Sequence, residues 1–194
     1  GESHMLKLVL GLVIFLGVHS IRIVAPGWRD HMIARLGVGG WKALYSIASL
    51  AGFVLIIGGY AAARLEPIAL YYPPFWLRHL MMLLMLPVFP LLVAAYLPGR
   101  IKAAVKHPML TATKAWALSH LLVNGMLADV LLFGGFLAWA VIDRISAGKR
   151  PQAAVRGAPM SMRNDVIAVV LGLVLYAVFV MWAHVRLFGV APMG

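Results

Sequence analysis

The apolar residues of this chain fall in unbroken blocks about as long as a bilayer is thick, and that restricts it to structures whose backbone polar groups are satisfied within the segment itself. LKLVLGLVIFLGVHSIRIV, from Leu6 to Val24, is the first such block. A water-facing helix or strand would interleave polar positions at a period of 3.6 or 2 residues, and these segments are apolar all round. With 63% hydrophobic residues, 12% charged residues and a mean hydropathy of +0.93, the whole chain follows the same rule. The expected class is an all-α, polytopic membrane bundle.

Six helices are expected. The first spans about Leu6–Val24, the second about Trp41–Ala63 and the third about Leu77–Leu97, where Pro87 and Pro90 remove two backbone donors and predict a kink. Thr111 to Ile145 is too long for one crossing and short for two. It reads as a short fourth helix over about Thr111–Asn124, a turn at Asn124-Gly125, and a fifth helix over about Met126–Ile145. The last span is about Val166–Phe188. Residues 25–40 read as an interfacial turn of helix with Trp28 at headgroup level, and Ser146–Asn164, rich in Gly, Pro and Arg, reads as a mobile basic loop. Gly1-Glu2-Ser3-His4 reads as a cloning scar before Met5, leaving one integral membrane domain over 5–194. A cleaved signal peptide over 5–24 is disfavoured, because no Ala-x-Ala-like site closes that region.

The net charge of +11 is sorted by side. Arg22, Arg29, Arg35 and Lys42 surround the first loop; Arg100, Lys102, Lys106 and Lys114 the third; Arg144, Lys149, Arg150, Arg156 and Arg163 the fifth. Only Lys7, Arg64, Arg78 and Arg186 fall on the other side. The positive-inside rule then predicts cytoplasmic basic loops and both termini outside, and the charge argues topology rather than nucleic-acid binding. There is no cysteine, so disulfides, thiolate ligation and cysteine nucleophiles are excluded.

Two histidines, His19 and His120, lie inside apolar segments, where a strongly polar group is costly and takes a partner. Counted from the cytoplasmic helix ends, their depths are about 8 Å and 14 Å, close enough to be level within the error of the boundaries. Equal depth on facing helices suits the two axial ligands of one haem. Arg22, three residues after His19, and Lys114, on a stripe with Ala117, His120 and Asn124, are candidate partners for haem propionates. The plainer alternative is a hydrogen-bonded core histidine donating to a carbonyl or to the adjacent Ser20 or Ser119; a proton relay or a non-haem metal are further alternatives. His79 is the reserve ligand. His31 reads as solvated, His184 as structural, and His107-Pro108 as the step that launches the fourth helix. Met81, Met82 and Met85 read as packing, and Gly52, Gly58 and Gly59 with Ala48 as a small-residue seam.

HSIR in the first helix, RHLMMLLMLP in the third, LPGRIKAAVKHPMLTATKAWALSHLLVNG and LLFGGFLAWAVIDRIS together resemble the NnrU family of bacterial inner-membrane proteins, over nearly the whole chain. That family is related to the plant 15-cis-zeta-carotene isomerase, a haem b membrane protein. The resemblance implies haem b ligated by His19, in the first-helix motif, and by His120, thirteen residues beyond His107 of the His-Pro motif. It further implies a bacterial inner-membrane protein with a part in denitrification, in production or function of the nitrite and nitric oxide reductases. Nitric oxide or denitrification components are then the expected partners beside lipid and haem. The isomerase has a cysteine three residues before its second ligand, used in switching ligation with redox state. Ala117 stands there in this chain, so the isomerase activity is not carried over. A lipid-phase isomerase or oxidoreductase and haem trafficking remain the alternative functions. A weaker resemblance, through Lys106-His107-Pro108, is to membrane methyltransferases that use S-adenosylmethionine. Their downstream acidic pair is absent, with only Asp129 and Asp143 interrupting that region.

Overall fold

The computed structural model describes residues 2–151 and 159–194. The helices in these residues are α1 (Glu2–Val24), α2 (Pro26–Ala63), α3 (Leu77–Met85), α4 (Val88–Tyr96), α5 (Arg100–Val105), α6 (Pro108–Val123), α7 (Leu127–Lys149), α8 (Met162–Val178) and α9 (His184–Phe188). A π-helical turn, Phe179–Ala183, joins the last two. Five stretches among the described residues are long and apolar enough to cross a membrane: Glu2–Val24, Pro26–Ala63, Leu77–Tyr96, Leu127–Lys149 and Met162–Phe188. At 16 residues α6 is shorter, matching the short fourth helix expected. Large apolar side chains point outward along these helices, with Val13 63%, Leu50 63% and Met181 81% exposed. Such a surface is costly in water and suits contact with lipid tails.

The chain divides into two compact units, Gly1–Tyr71 with Gly125–Trp139 and Tyr72–Asn124 with Ala140–Gly194.

In the first unit α1 and α2 form an antiparallel pair whose backbones touch at glycines. A Cβ on Gly11 would lie 2.6 Å from Ile56 N, one on Gly52 2.8 Å from Phe15 N, and one on Gly59 2.7 Å from Leu8 Cα. Small residues are what allow such an approach. The segment expected at the interface is helical from Pro26, and the break in α2 falls at Gly37, whose φ of 72° only glycine adopts without strain. Trp28 is half exposed there, its ring 5.8 Å from that of Trp41. The start of α7 is tied to the segment after α2: Leu127 N donates to Ile68 O at 2.7 Å and Leu70 N to Gly125 O at 2.8 Å. Any side chain on Gly125 would collide with the Tyr71 carbonyl oxygen, so the turn needs glycine. Asp129, three residues into this turn and buried, accepts from Met126 N at 3.0 Å and from Tyr60 Oη at 2.6 Å.

In the second unit the expected proline kink separates α3 from α4 at Leu86-Pro87, and α4 packs on α8, where Gly172 admits the backbone of Pro90. Val88, Leu91 and Ala112 form its buried core, with Met85 and Trp116 packed against them. The third loop contains α5, because the Asp165 carboxylate accepts from Arg100 N at 2.9 Å and Ile101 N at 3.0 Å and so satisfies its first donors. Within the segment expected as a loop, Ser146–Asn164, the first and last described residues are helical. α7 runs on to Lys149, with Arg150 paired to Asp143 at 2.9 Å, and α8 starts at Met162 behind a Ser161 cap whose hydroxyl accepts from Arg163 N at 3.0 Å. Arg156, placed in that loop by the sequence, lies outside the described residues.

Candidate functional site

His19 lies in the first unit and is half-buried on α1. Its Nδ1 is 2.7 Å from the carbonyl oxygen of Phe15, one turn earlier. A carbonyl can only accept, so Nδ1 carries the proton and, in the neutral ring, Nε2 carries the lone pair. Aromatic rings surround it: Phe15 stacks at 4.2 Å, Tyr45 lies at 5.4 Å and Trp139 presents an edge at 5.9 Å. Trp139 Nε1 is buried without a hydrogen-bond partner among the described residues. A buried indole N–H left unpaired costs free energy, and an acceptor supplied by a bound group would remove that cost. The face of α7 that carries Trp139 also sets Phe133 against Tyr60 and Phe136 against Phe15, at 6.3 and 5.7 Å.

His120 lies in the second unit, half-buried on α6, and repeats the pattern. Its Nδ1 is 2.9 Å from the Trp116 carbonyl oxygen, which again leaves the lone pair on Nε2. Asn124 Nδ2 donates to the His120 carbonyl at 2.9 Å and closes the helix. Ala117 is fully buried beside it. The expected alternatives for both histidines included a bond to a carbonyl or to a neighbouring serine, and the carbonyl is the acceptor in each case. Ser20 and Ser119 donate instead to their own backbone carbonyls at Leu16 and Ala115, both at 2.6 Å. A local carbonyl bond satisfies a buried histidine. It also fixes the tautomer that metal-ligating histidines use.

A third imidazole, read from sequence as structural, joins the second of these. The His184 ring centre is 6.5 Å from that of His120, with the ring planes 25° apart. Sequence reasoning missed this pair because the π-helical turn Phe179–Ala183 shifts the register of every residue beyond it, and no residue in FVMWA announces such a turn. The available signal was only that His184 is another histidine in an apolar span.

The other candidates are more exposed. Arg22 is exposed in the first unit and Lys114 half-buried in the second. His79, the reserve ligand, is exposed and set edge-on to Phe75 at 6.1 Å; His31 is exposed as expected. Among the described residues no group of three His, Asp or Glu side chains converges as a metal site. Met81 is buried, and Tyr176 Oη donates to the Met82 carbonyl at 2.7 Å, in keeping with a packing role for the methionines.

His107 precedes Pro108, the first residue of α6, as expected. Partial burial, and then the positive charges of Arg144 and Arg150, lower its pKa from the ordinary 6.5, with Asp143 opposing them. The folded chain therefore binds this proton less tightly than the unfolded one. The resulting stability is complete above pH 6.5 and is lost on acidification through the lowered folded pKa. The His107 ring is expected to titrate below 6.5 by NMR in detergent, and His107→Gln to flatten the stability of the chain over that acid range, a small effect for a ring only partly buried.

Long apolar helices with outward-facing apolar surfaces define a multi-pass helical membrane protein, and two of its half-buried histidines are bonded to the carbonyl one turn back. The family model described as NnrU protein matches residues 7–192, and the chain belongs to the NnrU family. No curated protein and no solved structure matches it.

Proposed function

We propose that this NnrU-family chain is a b-type haem-binding protein of the bacterial inner membrane that supports production or function of the denitrification reductases. His120 is one axial ligand in this reading, and His19 is the second that the resemblance nominates. The observation that carries it is the shared tautomer: both imidazoles give their Nδ1 proton to the carbonyl four residues back, leaving Nε2 to ligate. The aromatic surroundings of His19 and the unpaired Trp139 N–H also suit a flat apolar cofactor with polar edges. Arg22 and Lys114 are the cations proposed for its propionates. Bound haem supplies an iron that takes up an electron or nitric oxide. The chain's own part is to orient imidazoles and hold them in apolar surroundings. The role in denitrification rests on the family resemblance alone.

The test is the absorption spectrum of detergent-purified protein expressed with haem supply, oxidised and reduced, before and after nitric oxide. A Soret band is expected, shifted or lost in His120→Ala and unchanged in His31→Ala. His19→Ala tests the nominated second ligand. A colourless wild-type protein overturns the reading.

A further inference from the structure

We infer that Ser49 and Trp139 form, beside His19 in the first unit, a two-donor seat for one acceptor oxygen, the carboxylate or carbonyl of an apolar ligand. The inference rests on the haem reading for the identity of that ligand, and it leaves both proposed iron ligands as they are.

Helix register brings Ser49 level with His19. α1 and α2 run antiparallel with Gly11 against Ile56 and Phe15 against Gly52, so the next turn of α1 sets His19 opposite Ala48 and Ser49. The rings on either side of Ser49 show that it shares the face turned toward α1. Tyr45, one turn before it, is 5.4 Å from the His19 ring, and Phe53, one turn after it, is 6.1 Å from Phe15. From α7 the same two rings of α1 meet Phe136 at 5.7 Å and Trp139 at 5.9 Å. Three helices of the first unit therefore converge on the stripe that carries Phe15 and His19.

Ser49 Oγ and Trp139 Nε1, both buried, have no hydrogen-bond partner among the described residues. A serine inside a helix can give its hydroxyl to the carbonyl four residues back, as Ser20 and Ser119 do at 2.6 Å. Ser49 does not, so its hydroxyl can turn to a ligand. An indole N–H can only donate, whereas a hydroxyl can donate or accept, so what satisfies both is an oxygen with two lone pairs. A carboxylate or a carbonyl provides one. The surrounding aromatic faces suit a flat apolar body attached to that oxygen, and Arg22, one turn beyond His19, adds positive charge that favours a carboxylate. The seat uses donors only, so the His19 lone pair on Nε2 stays available to a metal. Under the haem reading the acceptor oxygen belongs to a haem carboxylate; a lipid-phase quinone offers a ring carbonyl instead. The shared chemistry is one acceptor oxygen on an apolar ligand, and the test separates the sources.

Wild-type protein, Ser49→Ala and Trp139→Phe are purified in detergent from cells without added haem, and their ligand-free melting is compared. Removing an unpaired buried hydroxyl is expected to leave the melting temperature of Ser49→Ala unchanged or raise it. A clear fall would mean that the hydroxyl has a partner within the protein, and overturns the seat. Each protein is then titrated with hemin and with iron octaethylporphyrin, which has no carboxylate, and followed by absorption. Each variant is expected to bind hemin about tenfold more weakly than wild type, with its low-spin spectrum kept because ligation is untouched, and to bind iron octaethylporphyrin as wild type does. If hemin binds wild type and neither variant weakens it, or if both porphyrins are weakened alike, the haem reading stands and this inference falls. If wild type takes up no hemin, the haem reading falls, and infrared spectra with decylubiquinone decide. A quinone carbonyl stretch lowered in wild type and restored in both variants supports the seat; quinone binding that is absent or indifferent to both residues overturns it.

Discussion

Gly59→Ala is expected to destabilise the first unit by about 1–3 kcal/mol, while Gly58→Ala, its immediate neighbour, is expected to be near neutral. A Cβ on Gly59 would lie 2.7 Å from Leu8 Cα and 3.0 Å from Lys7 C, and closer still to Leu8 N. All three are backbone atoms of α1, so α1 must move as a body to admit one methyl group. On Gly58 the same Cβ meets only Lys7 Nζ at 3.0 Å and Cε at 3.3 Å, the far end of a flexible side chain. That end swings aside at little cost, and alanine's better helix propensity works in its favour. Thermal or denaturant unfolding in one detergent, followed by circular dichroism, measures both variants. Equal melting of the two would mean that α1 and α2 do not pack through this seam.

That contrast shows where sequence stops being informative. Gly52, Gly58 and Gly59 are recognisable as small residues that permit close helix approach, but which of two adjacent glycines faces the partner depends on the rotation of α2. Gly11, on the other side of the seam, carries no mark beyond being a glycine in an apolar run. Features governed by local backbone chemistry were legible. Pro87 breaks the third span, Asn124-Gly125 makes the turn and Pro108 opens α6. The carbonyl bonds of His19 and His120 are likewise local, reaching only one helical turn back. Features made by distant pairs were not. α5 exists because Asp165, far along the chain, satisfies its first amides, and nothing in RIKAAV announces that. The neighbourhood of His120 and His184 has the same character, since the π-helical turn decides it.

Asp129 is the buried acidic residue whose removal is expected to cost most. Its two carboxylate oxygens satisfy two part-buried donors: Oδ1 accepts from Tyr60 Oη at 2.6 Å and Oδ2 from Met126 N at 3.0 Å, with Asp129 itself 5% exposed. Alanine leaves both donors unpaired at about 1–3 kcal/mol each, so Asp129→Ala is expected to lose about 2–5 kcal/mol. Asparagine keeps one carbonyl oxygen and replaces the other with a donor, so it holds one partner and opposes the second; its loss falls between wild type and alanine. The bond also crosses from α7 to α2, which a double-mutant cycle with Tyr60→Phe isolates. A coupling of about 0.5–3 kcal/mol is expected, and none at all would mean that Tyr60 and Asp129 act independently. The effect should reach His19. The carboxylate fixes the start of α7, and about 15 Å further along that helix Trp139 sets its edge against the His19 ring. Loosening the start of α7 therefore releases the wall of the His19 site. Trp139 fluorescence, isolated by removing the other tryptophans, is expected to shift toward a more solvated emission in Asp129→Ala while α1 and α2 remain paired through their glycines.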